Sequence, residues 1–207
     1  MRWALLTLML LAPLSAKAQD HAAHGRLQGD VTLEGLIGGG ATFEGDRVSG
    51  AAAAELRARY LDMAGVMAGV EIRPEGASRV LLMGDLRPLF FARFILGGMF
   101  GDRYWDLLVD SIGVDLGVAV TPLDGDVGVA FAVGFGVDVP LFFFGEGLSG
   151  VALRLFGRHV AAAETDRFGP NGGASDWIAG ALLVFRGQAS TGLPSWEPRR
   201  YRLRVSE

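Results

Sequence analysis

The 207-residue chain contains no cysteine, which excludes a disulfide scaffold and any thiolate metal site. Lysine occurs once, at Lys17, so every later basic side chain apart from histidine is arginine. Charged residues make up only 20% of the chain and the net charge is -4. A nucleic-acid binder would normally carry a basic stripe instead. Disorder is excluded by the half of the residues that are hydrophobic. No phosphate loop, nucleotide fingerprint or serine elbow is present. Asp124-Gly125-Asp126 and Gly145-Glu146-Gly147 lack the alternating acidic ligands of a calcium loop and read as turns. No metal site and no cofactor are expected. After the first twenty residues no stretch reads as a membrane helix. Val127 to Phe144 is long enough, but its period of two, its glycines and Pro140 argue for a strand.

Glycine is abundant instead, at 31 of 207 residues, roughly twice the ordinary usage of about 7%. The chain opens with Met1-Arg2, an apolar run from Trp3 to Leu14, and Ala16-Lys17-Ala18 before Gln19. This is the three-part pattern of a secretory signal peptide with cleavage after Ala18, and the apolar run is short for a membrane span. The domain reading is a signal peptide over 1–18, a flexible leader over 19–29, a β-domain over 30–189 and a tail over 190–207. His21 and His24 in the leader offer only two ligands to a metal and read as solvated.

The most informative segment is Val127 to Phe143. Val127, Val129, Phe131, Val133, Phe135, Val137, Val139, Leu141 and Phe143 fall on one face of an extended chain, while Gly128, Ala130, Ala132, Gly134, Gly136, Asp138, Pro140 and Phe142 fall on the other. Successive side chains of a strand point to opposite faces, so a large apolar row faces a mostly small or polar one. Ile112 to Thr121 repeats the pattern, and Pro122-Leu123-Asp124-Gly125 is turn chemistry, so residues 110 to 143 read as a long hairpin. Weaker alternation elsewhere gives eight strands, near 31–42, 48–61, 64–73, 79–97, 106–121, 126–143, 150–162 and 175–188. Residues 50–70 could instead be helical, through a Glu55–Arg59 pair; the alternation that follows favours strand.

Which face meets solvent is decided by the second row. Water-facing strand positions favour Thr, Lys, Glu, Gln and Arg. Here the second row is Gly, Ala, Ser and Asp in the best strands, with Arg and Glu elsewhere, and small residues suit the narrow interior of an eight-stranded barrel. The expected fold is therefore all-β, an antiparallel transmembrane β-barrel of about eight strands, apolar outside and small or polar inside. The nine-residue row from Val127 to Phe143 would face lipid. The lumen would hold a charge network of Glu34, Glu55, Arg57, Arg59, Glu71, Arg73, Asp85, Arg87, Arg93, Asp115, Asp138, Arg154, Arg158 and Arg186, a plug rather than a pore. Phe100, Tyr104, Trp105, Trp177 and Phe142 to Phe144 read as aromatic girdle residues at strand ends. Reversed burial, in a secreted soluble β-barrel or sandwich that carries lipid, is the alternative.

With this pattern the chain resembles the small outer-membrane β-barrel proteins of Gram-negative bacteria, over about residues 30 to 188. Gly180-Ala181-Leu182-Leu183-Val184-Phe185 is similar to the last-strand signal that the barrel-assembly machinery reads, carried by Gly180, Leu183 and Phe185, although 22 residues follow Phe185. The resemblance implies export and insertion in the outer membrane, outer-membrane lipids as surroundings, and a monomer with a structural or surface-interaction role and no enzyme activity. Gly157-Arg158-His159-Val160-Ala161-Ala162 also looks faintly like the active-site region of the outer-membrane lipid A 3-O-deacylases, whose motif is His-x-Ser-Asn. Ala161 stands at the serine position and Ala162 at the asparagine position. A hydrolase at His159, with Glu164 as its nearby carboxylate, is thus the minority reading: without a hydroxyl nucleophile His159 has nothing to activate.

Overall fold

In the computed structural model the described residues are 30–74, 78–96, 98, 100–121, 128–144, 148–161, 175–189 and 191. The expected signal peptide, leader and most of the tail lie outside them, as do Val127 and Glu164. Eight strands run as β1 (Val31–Glu44), β2 (Arg47–Tyr60), β3 (Ala64–Ile72), β4 (Arg79–Leu86), β5 (Gly113–Thr121), β6 (Gly128–Phe143), β7 (Gly150–Val160) and β8 (Asp176–Ala189). Each pairs antiparallel with the next, and β8 pairs back onto β1 from Val31↔Ala189 to Phe43↔Trp177, which closes the barrel. Closure gives every strand a neighbour on both sides, so there is no edge strand. The fold is the all-β closed eight-stranded barrel that the alternation predicts, and residues 50–70 are strand on either side of a turn at 61–63.

The period of two is realised physically. Along β6, Ala130, Ala132, Gly134, Gly136, Asp138 and Pro140 are buried, while Val129, Phe131, Phe135 and Leu141 are exposed and Val133, Val137 and Val139 half-buried. The other strands follow the same phase: Leu33, Ile37, Leu56, Val66, Leu82, Leu116, Leu155 and Phe185 are exposed. In β8, where large apolar residues fall on both faces, Trp177 and Phe185 point outward and Ile178, Leu182 and Val184 inward. The apolar residues of the lumen gather in two clusters. One joins β1, β2, β7 and β8 around Leu36, Phe156 and Leu182. The other joins β3 to β7 around Met67, Leu81 and Met83.

The row on β6 breaks at its end. A bulge between Pro140 and Phe142 shifts the register with β7, so Phe142 is exposed and Phe143 is only half so. Phe143 therefore does not continue the outer row as expected. The guanidinium of Arg103 sits 4.0 Å from the centre of its ring. An extra residue on one strand turns every later side chain to the opposite face.

Two segments read as strand are helices. α1 (Pro88–Leu96) and α2 (Arg103–Asp110) occupy the connection between β4 and β5, so β4 stops at Leu86 rather than 97 and β5 begins at Gly113 rather than 106. Pro88 stands at the first helical position, where its missing N–H is not needed. Asp102 caps α2, accepting a hydrogen bond from the Trp105 N–H at 3.1 Å. The hairpin also mends the wall. β5 meets β6 only from Gly136 toward Gly128, and past that point the Ser111 hydroxyl, at the end of α2, accepts from the Asp138 N–H at 2.8 Å.

An antiparallel barrel of even strand number brings residues 30 and 189 to one end, with the turn at 61–63, the end of β6, the start of β7 and the helical hairpin. The opposite end carries the turn at 45–46, the ends of β3, β5 and β7 and the starts of β4, β6 and β8. At the 45–46 turn, Gly45 has φ 57°, the left-handed conformation for which glycine is the default residue in tight hairpins.

Candidate functional site

Every strand sends at least one charged side chain into the lumen. Glu34 comes from β1; Glu55, Arg57 and Arg59 from β2; Glu71 from β3; Arg79 and Asp85 from β4; Asp115 from β5; Asp138 from β6; Arg154 and Arg158 from β7; Asp176 and Arg186 from β8. Asp62, Arg73 and Arg87 reach in from just beyond strand ends. Among the described residues this is eight arginines and eight carboxylates, so the column is formally neutral.

The pairs form one connected path along the barrel. At one end Arg73 and Arg79 both bind Asp176, at 2.7 and 3.0 Å. Arg79 also pairs with Glu71, and Glu71 with Arg158. Arg158 crosses the lumen to Glu55 on β2 at 2.6 Å. Glu55 binds Arg57 at 2.6 Å, and Arg57 Nη1 donates to Asp85 at 2.9 Å and to Asp115 at 3.0 Å. At the end carrying the termini, Arg59 spans Asp85 and Glu34 at 2.7 Å each. Asp138 gathers Arg87 and Arg186 at 2.6 Å and Arg154 at 2.9 Å.

Register explains why the pairs form. Glu34 lies directly across from Arg186, Asp138 from Arg154 and Glu71 from Arg79, and opposite charges at facing positions attract. One facing pair breaks the rule. Asp85 of β4 is opposite Asp115 of β5, and Arg57 from β2 sits between the two carboxylates. Asp62 shows a second local cost. Leu61 and Asp62 adopt φ 50° and 56°, a left-handed backbone that costs non-glycine residues roughly 1–2 kcal/mol each. The Asp62 carboxylate accepts from Arg87 at 3.1 Å, so the column holds the turn.

Arg93 is not part of this column. It lies on α1 and binds Asp110 and Asp106 of α2 at 2.6 Å each. Expected in a strand, it instead ties the hairpin together, because residues 88–96 are helical. Three members of the column are absent from the sequence expectation. Arg79 and Asp176 lie on the buried phase of their own strands, two residues from Leu81 and Ile178, and the alternation extended by one step would have found them. Asp62 is a turn residue and has no periodic signal.

A second constellation lies on the outer face at the end away from the termini. His159 Nε2 is 2.6 Å from the Ser175 hydroxyl. The Trp177 ring packs on the imidazole with centroids 4.8 Å apart. His159 and Trp177 face each other across β7 and β8, which brings in the serine sixteen residues downstream. No motif around His159 signals this hydroxyl, because only strand register creates the neighbourhood. No carboxylate of the described residues bonds the other imidazole nitrogen. Among the described residues no group of three or more His, Cys, Asp or Glu could hold a metal ion.

On β8, Leu183 is half-buried and Phe185 is 52% exposed on the outer face, while Gly180 pairs with Gly40. Of the expected girdle residues, Phe100, Tyr104 and Trp105 are exposed on the helical hairpin rather than at strand ends, and Trp177, Phe142 and Phe144 are exposed on or beside strands. Compared with known proteins, the chain matches no family model and no curated sequence.

Proposed function

We propose that this protein is an outer-membrane β-barrel with a sealed lumen, exported by a cleaved signal peptide, whose role is structural or to present its outer loops to a partner. The observation that carries this reading is the inverted polarity of the barrel. Phe131, Phe135, Leu56 and Leu82 are 57–70% exposed, while Arg59, Arg79, Arg87, Arg154 and Arg158 are at most 1% exposed. In water each large apolar side chain left outside forfeits about 1.5–3 kcal/mol, and each buried ion costs several kcal/mol to desolvate. In a bilayer the outer row is solvated by acyl chains, and inside the lumen each charge has an opposite charge beside it. Leu183 and Phe185 would serve as the assembly signal on the last strand, and the barrel would be monomeric.

Fractionation tests this reading. The protein should sediment with outer membranes and require detergent. The mature chain should begin at Gln19, and an unboiled sample should run faster on a gel than a boiled one. Recovery in the soluble periplasmic fraction would favour the lipid-carrier alternative instead.

A second reading rests on the contact between His159 and Ser175. An imidazole nitrogen at 2.6 Å from a hydroxyl is the geometry in which a histidine takes the proton of a serine as it attacks an ester carbonyl. The pair faces outward at a barrel rim, where lipid esters would be in reach. Under this reading the reconstituted protein releases fatty acid from lipid A, and both His159→Ala and Ser175→Ala abolish the release. Under the leading reading neither the native chain nor the variants release any, and His159 is a polar interfacial residue.

A further inference from the structure

The helical hairpin between β4 and β5 has the same inversion as the barrel, on elements that no transmembrane-strand pattern explains. Three of its charges point inward: Arg93, Asp106 and Asp110 are 6%, 0% and 0% exposed, with Arg93 binding both carboxylates, while Asp102 and Arg103 at the start of α2 are exposed and half-buried. Asp106 also accepts from the backbone N–H groups of Phe100 and Gly101 at 2.8 and 2.9 Å, which fixes the link between the helices. Phe90 and Leu107 are buried beside them. The opposite face presents Phe91, Leu96, Phe100, Tyr104 and Trp105, all exposed, with Leu96 at 73% and Trp105 at 56%. A helix pair facing water would turn its charges out and its aromatic residues in.

That face is continuous with the outside of the barrel. Leu86, the last residue of β4, and Ile112, just before β5, are exposed on either side of the hairpin. Arg103 on the Phe143 ring sets the start of α2 beside the end of β6, where Phe142 and Phe144 are 66% and 62% exposed. Within this surface Arg93, Asp106 and Asp110 are consumed internally. It offers little to the hydrogen-bonded, charge-matched rim of a protein partner. It does offer Trp and Tyr, the residues that settle where acyl chains meet headgroups.

We propose that α1 and α2 lie in the lipid bilayer at its water boundary, at the end of the barrel that carries residues 30 and 189, as an interfacial helical hairpin. It takes the place of wall that β5 does not supply and fixes the depth of the barrel in the membrane. The occupant of its aromatic face is lipid, and the inference rests on the membrane reading above.

The test uses the full chain refolded into phosphatidylcholine vesicles whose acyl chains carry bromine either near the headgroup or near the chain end. In one variant Trp3, Trp177 and Trp196 are replaced by Phe, leaving Trp105. In its sister Trp3, Trp105 and Trp196 are replaced, leaving Trp177 on the outer face of the barrel. The proposal predicts a blue-shifted Trp105 emission that bromine quenches, with greater loss from the shallow position than from the deep one. If Trp177 is quenched and Trp105 is not, the barrel is inserted but its hairpin is covered by water, a second copy or another protein, and the proposal is overturned alone. If neither is quenched, the membrane reading falls, and the hairpin's place in the bilayer falls with it.

Discussion

Asp85 and Asp115 face each other across β4 and β5, and Arg57 Nη1 donates to both, at 2.9 and 3.0 Å, while its other nitrogens bind Glu55. Removing one partner of a buried pair leaves the other charge uncompensated and costs about 3–5 kcal/mol. Here one residue withdraws from three carboxylates, each of which keeps a second arginine: Arg158 on Glu55, Arg59 on Asp85 and Arg154 on Asp115. Arg57→Met, which keeps much of the volume, leaves the column one positive charge short and should destabilise the refolded barrel by about 3–5 kcal/mol in a urea titration. Adding Asp115→Asn should recover part of that loss by removing one of the two facing charges. The two substitutions touch, so their effects should not add. If Arg57→Met alone is neutral, the column is not what holds the lumen. This residue's place was readable in part. Its phase on β2 marks it as a lumen side chain, but its position between two aspartates depends on the register of four strands and the twist of a closed barrel, which one sequence does not contain.

At the scale of elements, period-two alternation was legible wherever one face is uniformly large and the other uniformly small, as in β5 and β6. It failed at Pro88–Leu96. There Phe90, Ala92, Phe94 and Leu96 against Arg93 imitate a strand, although Arg93 binds Asp106 and Asp110 across a helical hairpin. Pro88 and Asp102 marked the starts of the two helices all along, and alternation outweighed them because the whole chain alternates. The small face of β6 is small for a steric reason. A Cβ on Gly136 would lie 2.7 Å from Cζ of Arg154, and that guanidinium is held by Asp138 and Asp115. Gly136→Val should therefore weaken or abolish the fast-running unboiled band on a gel. Gly50→Val should leave it intact, since a Cβ at Gly50 meets no atom within 4 Å. Equal behaviour of the two would contradict the assignment of the inner face.

At the scale of the molecule, the eight arginines and eight carboxylates of the described lumen form a neutral column that runs between two apolar clusters. A channel needs mobile charge and water. This interior has paired charge and close packing, with Met67, Leu81 and Arg154 all at 0% exposure. Planar bilayers containing the protein should show no steady conductance, and a stable open level would refute the plug. The whole-molecule fold was the most legible part of the chain, because the inversion of polarity is written into residue types. The pairing of His159 with Ser175 was the least legible, because it exists only through cross-strand register.

The account depends on which row of β6 meets lipid, and the absence of native cysteine allows that to be measured directly. Single cysteines introduced in turn from Val129 to Leu141 can carry a nitroxide, and collision with oxygen can be compared with collision with a water-soluble nickel chelate. The account predicts a period of two, with oxygen favoured at Val129, Phe131, Val133 and Phe135 and little access of either reagent at Ala130 and Ala132. Nickel exceeding oxygen at Phe131 and Phe135 would place that row in water and contradict it.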